Sequence, residues 1–262
     1  MAERPDCDTG RIGLYLYAIG RGIDDDALAH TSGLREAPLR VLEHRGLAAV
    51  VSDVDLDEFG EEGLRRNLED LHWLEDVART HDAVVRAATA VGPTAPLRLA
   101  TVCFDDDQVR SRVEQWHDPL VRALDRVDGR AEFSVKAYAS LAEPAAAGSP
   151  AASSGPGAGA AYLQRRKEET RRREQAGQGA AHSAEELYTA LAEHAVARRR
   201  LQPQDPRLTK HEGTMVLNAA YLVDADEPFA DTVAAEASRW PELRVEVIGP
   251  WPPYSFATLE EQ

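Results

Sequence analysis

The sequence predicts an α+β protein of two domains. Short runs with period-two alternation are interleaved with longer stretches of three- and four-residue apolar spacing, in both halves of the chain. Between the halves, Leu141 to Ala161 is mostly Ala, Gly, Pro and Ser. Such a tract buries too little surface to offset its ordering entropy, so a flexible linker is expected. The implied limits are 1–140 for an N-terminal α+β sheet domain, 141–161 for the linker, and 162–262 for a C-terminal domain ending in an aromatic, proline-rich tail.

In the first half, Leu14-Tyr15-Leu16-Tyr17-Ala18-Ile19 alternates tyrosines against Leu and Ile, which reads as a strand. Leu39 to Glu43, His44-Arg45-Gly46 and Leu47 to Ser52 read as a β-hairpin, with Gly46 supplying the turn's left-handed dihedral. From Leu64 the period changes. Leu64, Leu68, Leu71, Leu74, Val77, His81, Val84, Ala88 and Val91 form one apolar stripe on a long helix, which Gly92-Pro93 stops. Pro96 to Phe104 is the next strand. Asp105, Asp106 and Asp107 open a second helix, where carboxylates cap free N–H groups and complement the dipole. Pro119 predicts a kink or break near Asp118. Asp128-Gly129 ends this helix, and Ala131 to Ala139 forms another strand.

In the second half, Tyr162 to Gln175 is a charged helix that Gly177 and Gly179 interrupt. Ser183, with Glu186 three residues on, is a capping box opening a further helix that buries Leu187, Leu191 and Ala195. Arg198 to Gln202 reads as an edge strand. Met215 to Val223 is apolar on both faces apart from Asn218, as in a central strand. Asp226 caps a helix from about Glu227 to Trp240, and Leu243, Val245 and Val247 alternate with Arg244 and Glu246 in the last strand. With the strand near Lys136 placed first, the order is strand–helix–strand–strand–helix–strand, that of a ferredoxin-like α/β sandwich.

A net charge of −15 opposes binding to nucleic acid or an anionic membrane. The two cysteines make neither a disulfide framework nor a metal knot, and Cys103 reads as a small core hydrophobe. The first residues lack the basic-then-apolar order of a signal peptide, and no apolar run approaches the ~20 residues of a membrane span, so a cytoplasmic protein is expected. His72 and His81 lie too far apart on one helix to share a metal, and His81, on the apolar stripe, reads as a hydrogen-bonded core histidine. The Asp24–Asp26 run lacks the remaining positions of a calcium loop. Glutamates interleave the arginines of 165–173, which favours a salt-bridged exposed helix over a nucleic-acid site. No nucleophile elbow, Walker loop or Cys-His pattern occurs. The expectation is therefore no catalytic residue, no cofactor site, no metal site and no enzyme.

What remains is the end of the chain, Gly249-Pro250-Trp251-Pro252-Pro253-Tyr254-Ser255-Phe256. Proline donates no N–H to a ladder, so the strand before it should stop, and three aromatic rings on so stiff a backbone dock at little entropic cost. Trp251, Tyr254 and Phe256 meet a partner, or at least Trp251 and Tyr254 close as a lid over the terminal strand of their own domain. Arg98, a charge inside an otherwise apolar strand, is read either as an ion-pair scaffold or as a partner contact.

Four segments together resemble the gas vesicle protein F/L family: Leu14 to Ile19; Pro96-Leu97-Arg98-Leu99-Ala100-Thr101-Val102; Tyr162-Leu163-Gln164-Arg165-Arg166; and Leu217 to Val223 paired with the 249–256 tail, the most specific of them. They fall in the family's order across nearly the whole chain, with Leu99-Ala100 where members often carry Phe-Gly. The resemblance implies a non-enzymatic accessory or minor structural component of gas vesicles, in the cytoplasm and at the vesicle. It would bind the hydrophobic shell subunit and other accessory proteins during nucleation and assembly, and limit aggregation, without a cofactor. Two α+β domains, the second ferredoxin-like, are implied as well. Partner contacts are then assigned to Arg98, Trp251, Tyr254 and Phe256. The competing function is a ferredoxin-like small-molecule-sensing or RNA-binding module, since such sheets host many activities. RNA would require exposed aromatic and basic residues on central strands, where Met215–Val223 offers Asn218 and Tyr221.

Overall fold

The computed structural model describes residues 11–139, 158–204 and 213–257. Two compact units are present: Met1–Ala131 together with Trp251–Gln262, and Glu132–Pro250. The division thus falls within the first residues of the strand holding Lys136, after Ala131, and the last residues belong to the first unit. Of the expected linker, 141–157 lies outside the described residues, and from Ala158 onward the chain is helical.

The first unit opens on β1 (Ile12–Gly20), followed by the hairpin β2 (Leu39–His44) and β3 (Leu47–Asp55). Arg45 and Gly46 both take positive φ, 50° and 75°, as a two-residue hairpin turn matched to strand twist requires. Three helices come next: α1 (Leu56–Phe59), α2 (Glu61–Asn67) and α3 (Leu71–Val91). The single helix expected from Leu64 is therefore divided. Asp70 takes extended backbone and its carboxylate accepts from the N–H groups of His72 and Trp73, at 2.9 and 3.3 Å. This cap starts a new helix and leaves Leu68 and Leu71 in solvent. Val77, His81, Val84, Val85 and Ala88 form the face of α3 that packs on β1.

The strand expected over Pro96–Phe104 is also divided, into β4 (Thr94–Pro96) and β5 (Val102–Cys103), which both pair with β1. The sheet order is β2-β3-β1-β4, so β1 is central and fully buried beyond Gly13. Helices α4 (Asp106–Gln115) and α5 (His117–Val127) complete the unit. Asp105 accepts from Gln108 N–H at 2.8 Å while Gln108 Oε1 accepts from Phe104 N–H at 2.7 Å, a reciprocal cap. The break falls at Trp116, which puts Pro119 in the first turn of α5, where its missing N–H costs nothing.

The second unit contains β6 (Arg130–Ala139), α6 (Ala158–Ala190), β7 (Ala197–Arg200), β8 (Thr214–Asp224), α7 (Phe229–Ala237) and β9 (Leu243–Trp251). Its sheet runs β7-β8-β6-β9, with β7 antiparallel to β8 along the edge. The core joins Leu187, Tyr221, Phe229, Val233 and Trp240, with Phe229 ring centroids 5.4 Å from both Phe133 and Tyr221.

Four local expectations are corrected in this unit. Gly177 and Gly179 do not interrupt α6; neither takes positive φ, so the 33-residue helix passes through them. Ser183 is consequently no cap, and its hydroxyl meets Glu242 Oε1 instead. Helix α7 starts after Pro228, with Asp226 outside it and no side-chain cap. Finally, β9 continues through Pro250 to Trp251. Gly249 permits this by taking φ 155°; a Cβ there would sit 2.7 Å from the Phe133 ring and 2.9 Å from the Glu132 carbonyl.

Candidate functional site

The interruption between β4 and β5 builds the most distinctive surface of the first unit. Leu97 N–H donates to Tyr17 O, and Leu16 N–H donates to Thr101 O, each at 2.9 Å. These bonds bracket the point where the β1–β3 register shifts between Leu16 and Ala18. Between them the chain turns outward. Ala100 takes φ 63°, and its N–H donates to the Tyr15 hydroxyl at 2.9 Å. Thr101 Oγ1 donates to Arg98 O at 2.7 Å. Arg98 thus sits on a reversed loop, exposed, without a carboxylate partner among the described residues. Among the described residues, the ion-pair scaffold expected for it is not formed.

Beneath this loop, Tyr15 and Tyr17 are fully buried and form a polar seam with α3 and β3. Tyr17 Oη lies 2.8 Å from Ser52 Oγ and accepts from Leu34 N–H at 2.8 Å. Tyr15 Oη lies 3.1 Å from His81 Nδ1. Burial outweighs the nearby Asp82 charge and pushes the His81 pKa down to about 4, so the ring is neutral at pH 7. Its Nε2 has no hydrogen-bond partner, although the Leu97 backbone lies near enough to favour a proton there. The same burial drives the Tyr15 hydroxyl well above its ordinary range.

The C-terminal segment returns to this helix. Tyr254 donates its hydroxyl to Asp82 Oδ1 at 3.3 Å, and Arg86 Nε donates to Asp82 Oδ2 at 2.6 Å. The Arg86 guanidinium lies over the Trp251 ring, 4.4 Å from its centroid. Ala257 N–H and Phe256 N–H both donate to Pro253 O, folding the end into a compact turn with Pro252, Pro253, Phe256 and Ala257 buried. The segment therefore packs on α3 of the first unit.

Ala78, His81, Pro96, Leu97, Arg98, Leu99 and Tyr254 line a cleft of ≈ 390 Å³. Of the four residues singled out from sequence, Arg98 and Tyr254 share this cleft. Trp251 lies one helical turn further along α3, half-buried, and Phe256 is buried. Asp82, Arg86 and Tyr15 organise the site without having been nominated. The i,i+4 spacing of Asp82 and Arg86 next to the apolar stripe was the available signal. The walls are apolar, with one imidazole at the floor and one guanidinium at the rim. Among the described residues, no group of three or more His, Cys, Asp or Glu is placed to hold a metal ion, and no helix is long and apolar enough to cross a membrane.

Comparison with known proteins matches residues 13–258 to a family model described as gas vesicle synthesis protein GvpL/GvpF. Gas vesicle protein L of a Streptomyces species is 44% identical over 252 residues, covering 95% of this chain and 94% of the relative. Gas vesicle protein L1 of Halobacterium salinarum is 25% identical over 268 residues, covering 94% of this chain and 90% of the relative. Crystal structures of gas vesicle protein GvpF from Anabaena sp. and Microcystis aeruginosa share the fold. Each has a TM-score of 0.64, at 19% and 20% identity, over 95% and 94% of this chain and 98% and 99% of the solved chains.

Proposed function

The chain belongs to the gas vesicle synthesis protein GvpL/GvpF family, and from that premise we propose that it is a non-enzymatic accessory or minor structural protein of gas vesicles. It binds the hydrophobic shell subunit and other accessory proteins during nucleation and assembly, and it limits aggregation of that subunit before incorporation. The observation that carries this reading is the family match over residues 13–258.

The physical need is specific. A subunit destined to face gas displays apolar surface while it is still in water, and contiguous exposed apolar surface drives association. A strongly acidic partner covering that surface adds self-repulsion that keeps the complexes apart, and the chain carries −15. We read the second unit as a ferredoxin-like sandwich: its elements run strand–helix–strand–strand–helix–strand, with β6 and β8 central and β7 and β9 at the edges. Partner contact falls on the first unit around Arg98, Trp251 and Tyr254, with Phe256 buried in the same C-terminal segment.

Co-expression of the tagged full chain with the hydrophobic shell subunit tests the proposal. The shell subunit is expected in the soluble fraction and in the affinity eluate. A shell subunit that pellets equally with and without the chain, and is absent from the eluate, overturns it.

A further inference from the structure

We propose that the cleft floored by His81 is an anchor site for a peptide segment of a partner protein, one that carries an aliphatic side chain followed directly by a carboxylate residue. This rests on the reading of the chain as an assembly protein and assigns a chemistry to the contact.

The hydrogen-bond directions determine what the floor offers. Ala100 N–H can only donate, so the Tyr15 oxygen is its acceptor. The Tyr15 proton is thereby left for His81 Nδ1, 3.1 Å away. With Nδ1 accepting, a neutral imidazole carries its hydrogen on Nε2. That nitrogen is buried and makes no direct hydrogen bond, with the Leu97 backbone close by, and His81, only 4% exposed, is one of the residues lining the cleft. A buried donor without an acceptor costs stability, and a ligand that supplies an oxygen recovers it. A backbone carbonyl of an entering peptide is such an oxygen.

The walls and rim determine the rest. Ala78, Pro96, Leu97 and Leu99 are apolar, so the inserted group is apolar as well. Arg98 is an exposed cation without an ion pair among the described residues, on a chain of net charge −15. Its complement is a carboxylate beside the inserted side chain. At ≈ 390 Å³ the cleft lies near the small end of the roughly 300–1,000 Å³ of ligand pockets, and it is open to solvent. A small molecule would leave much of its surface wet there. A peptide anchor gains its remaining contacts from the surface outside, as a side chain seated in an interface pocket does.

The test uses the isotope-labelled full chain and NMR of the His81 ring and the 97–100 amides. The hexapeptide acetyl-Gly-Ser-Leu-Glu-Ser-Gly-amide is titrated in, with the counterpart bearing Lys in place of Glu and with hexanoate as comparisons. Saturable shifts at His81 Nε2 and at 97–100 are expected with the Glu peptide. Binding should weaken about tenfold with the Lys peptide, and about tenfold for Arg98→Ala, for loss of one charge-assisted contact. Ala78→Trp, which fills the cleft from an exposed helix position, should abolish it. Absence of saturable shifts at His81, equal binding of the Lys peptide, or hexanoate binding as tightly as the peptide would each overturn the assignment. The last outcome would make the cleft a small-carboxylate site. Shell-subunit capture is run in parallel on the unmodified chain, where capture without peptide response sinks the cleft alone and loss of capture sinks the assembly reading.

Discussion

The Tyr254 hydroxyl meets Asp82 Oδ1 at 3.3 Å across 172 residues of sequence. The same carboxylate holds Arg86, whose guanidinium lies over Trp251. One acidic residue in the middle of α3 thus organises the end of the chain. The C-terminal segment is a structural part of the unit that opens with β1, and its aromatic rings act on function through the surface they create there.

Truncating that segment should therefore cost stability. Trp251→Ala is expected to destabilise the first unit by about 2 kcal/mol, through the lost cation–π contact and buried area. Phe256→Ala should cost about 3–4 kcal/mol, as for a buried aromatic. Tyr254→Phe should cost about 1 kcal/mol, for loss of the hydroxyl's hydrogen bond to Asp82. Urea unfolding curves of the three variants check the order. An unchanged midpoint for Phe256→Ala would contradict the packing of the segment.

Ala100 pays for its φ of 63° with no compensating absence of a side chain. Left-handed backbone costs a non-glycine residue about 1 kcal/mol, so Ala100→Gly should stabilise the first unit by up to about that amount, less the added freedom of the unfolded chain. Thermal or chemical denaturation measures it. A destabilised Ala100→Gly variant would mean that the turn is not strained at this position.

Much of the architecture was legible where the cause was local. The Arg45-Gly46 turn, the Asp105 cap and the break ahead of Pro119 each follow from a few neighbouring residues. The short edge strand β7 was legible from its place in the expected order. The reversal at 97–101 was not, because an apolar run reads as one strand until the tyrosine hydroxyls and the β1 bulge on its partner are known. Leu99-Ala100 read as part of the strand over Pro96–Phe104, yet Ala100 occupies a left-handed turn. The return of the tail to α3 depends on Asp82 and Arg86, which no local pattern connects to Trp251 or Tyr254. Likewise, two glycines suggested a break in α6 that does not occur, since a helix tolerates glycine at a cost in stability.

That cost is measurable. Gly177 and Gly179 lie in the exposed part of α6, and a Cβ added at either would meet nothing within 4 Å. Each Gly→Ala change should favour the helix by about 0.8–1 kcal/mol. The double variant should show higher helicity by circular dichroism and slower amide exchange between 164 and 179. Reduced helicity would contradict a continuous helix through this region.

His81 gives a pH dependence with a definite sign. Its folded pKa, about 4, lies below the ordinary 6.5, because burial disfavours the charged ring. As pH falls, the unfolded chain takes up the proton first. The contribution of His81 is fully present above about 6.5 and is lost progressively down to about 4, by roughly 3 kcal/mol at most. Unfolding free energies measured across this window should fall less steeply for His81→Gln than for the unmodified chain. Identical slopes would show that the ring is not held neutral by burial.

The most direct measurement is the fraction of hydrophobic shell subunit that stays soluble and co-elutes when it is co-expressed with this chain. A soluble complex is expected with the unmodified chain, and a reduced yield with Arg98→Ala at unchanged chain stability. A shell subunit that aggregates to the same extent whether or not the chain is present would contradict the central claim.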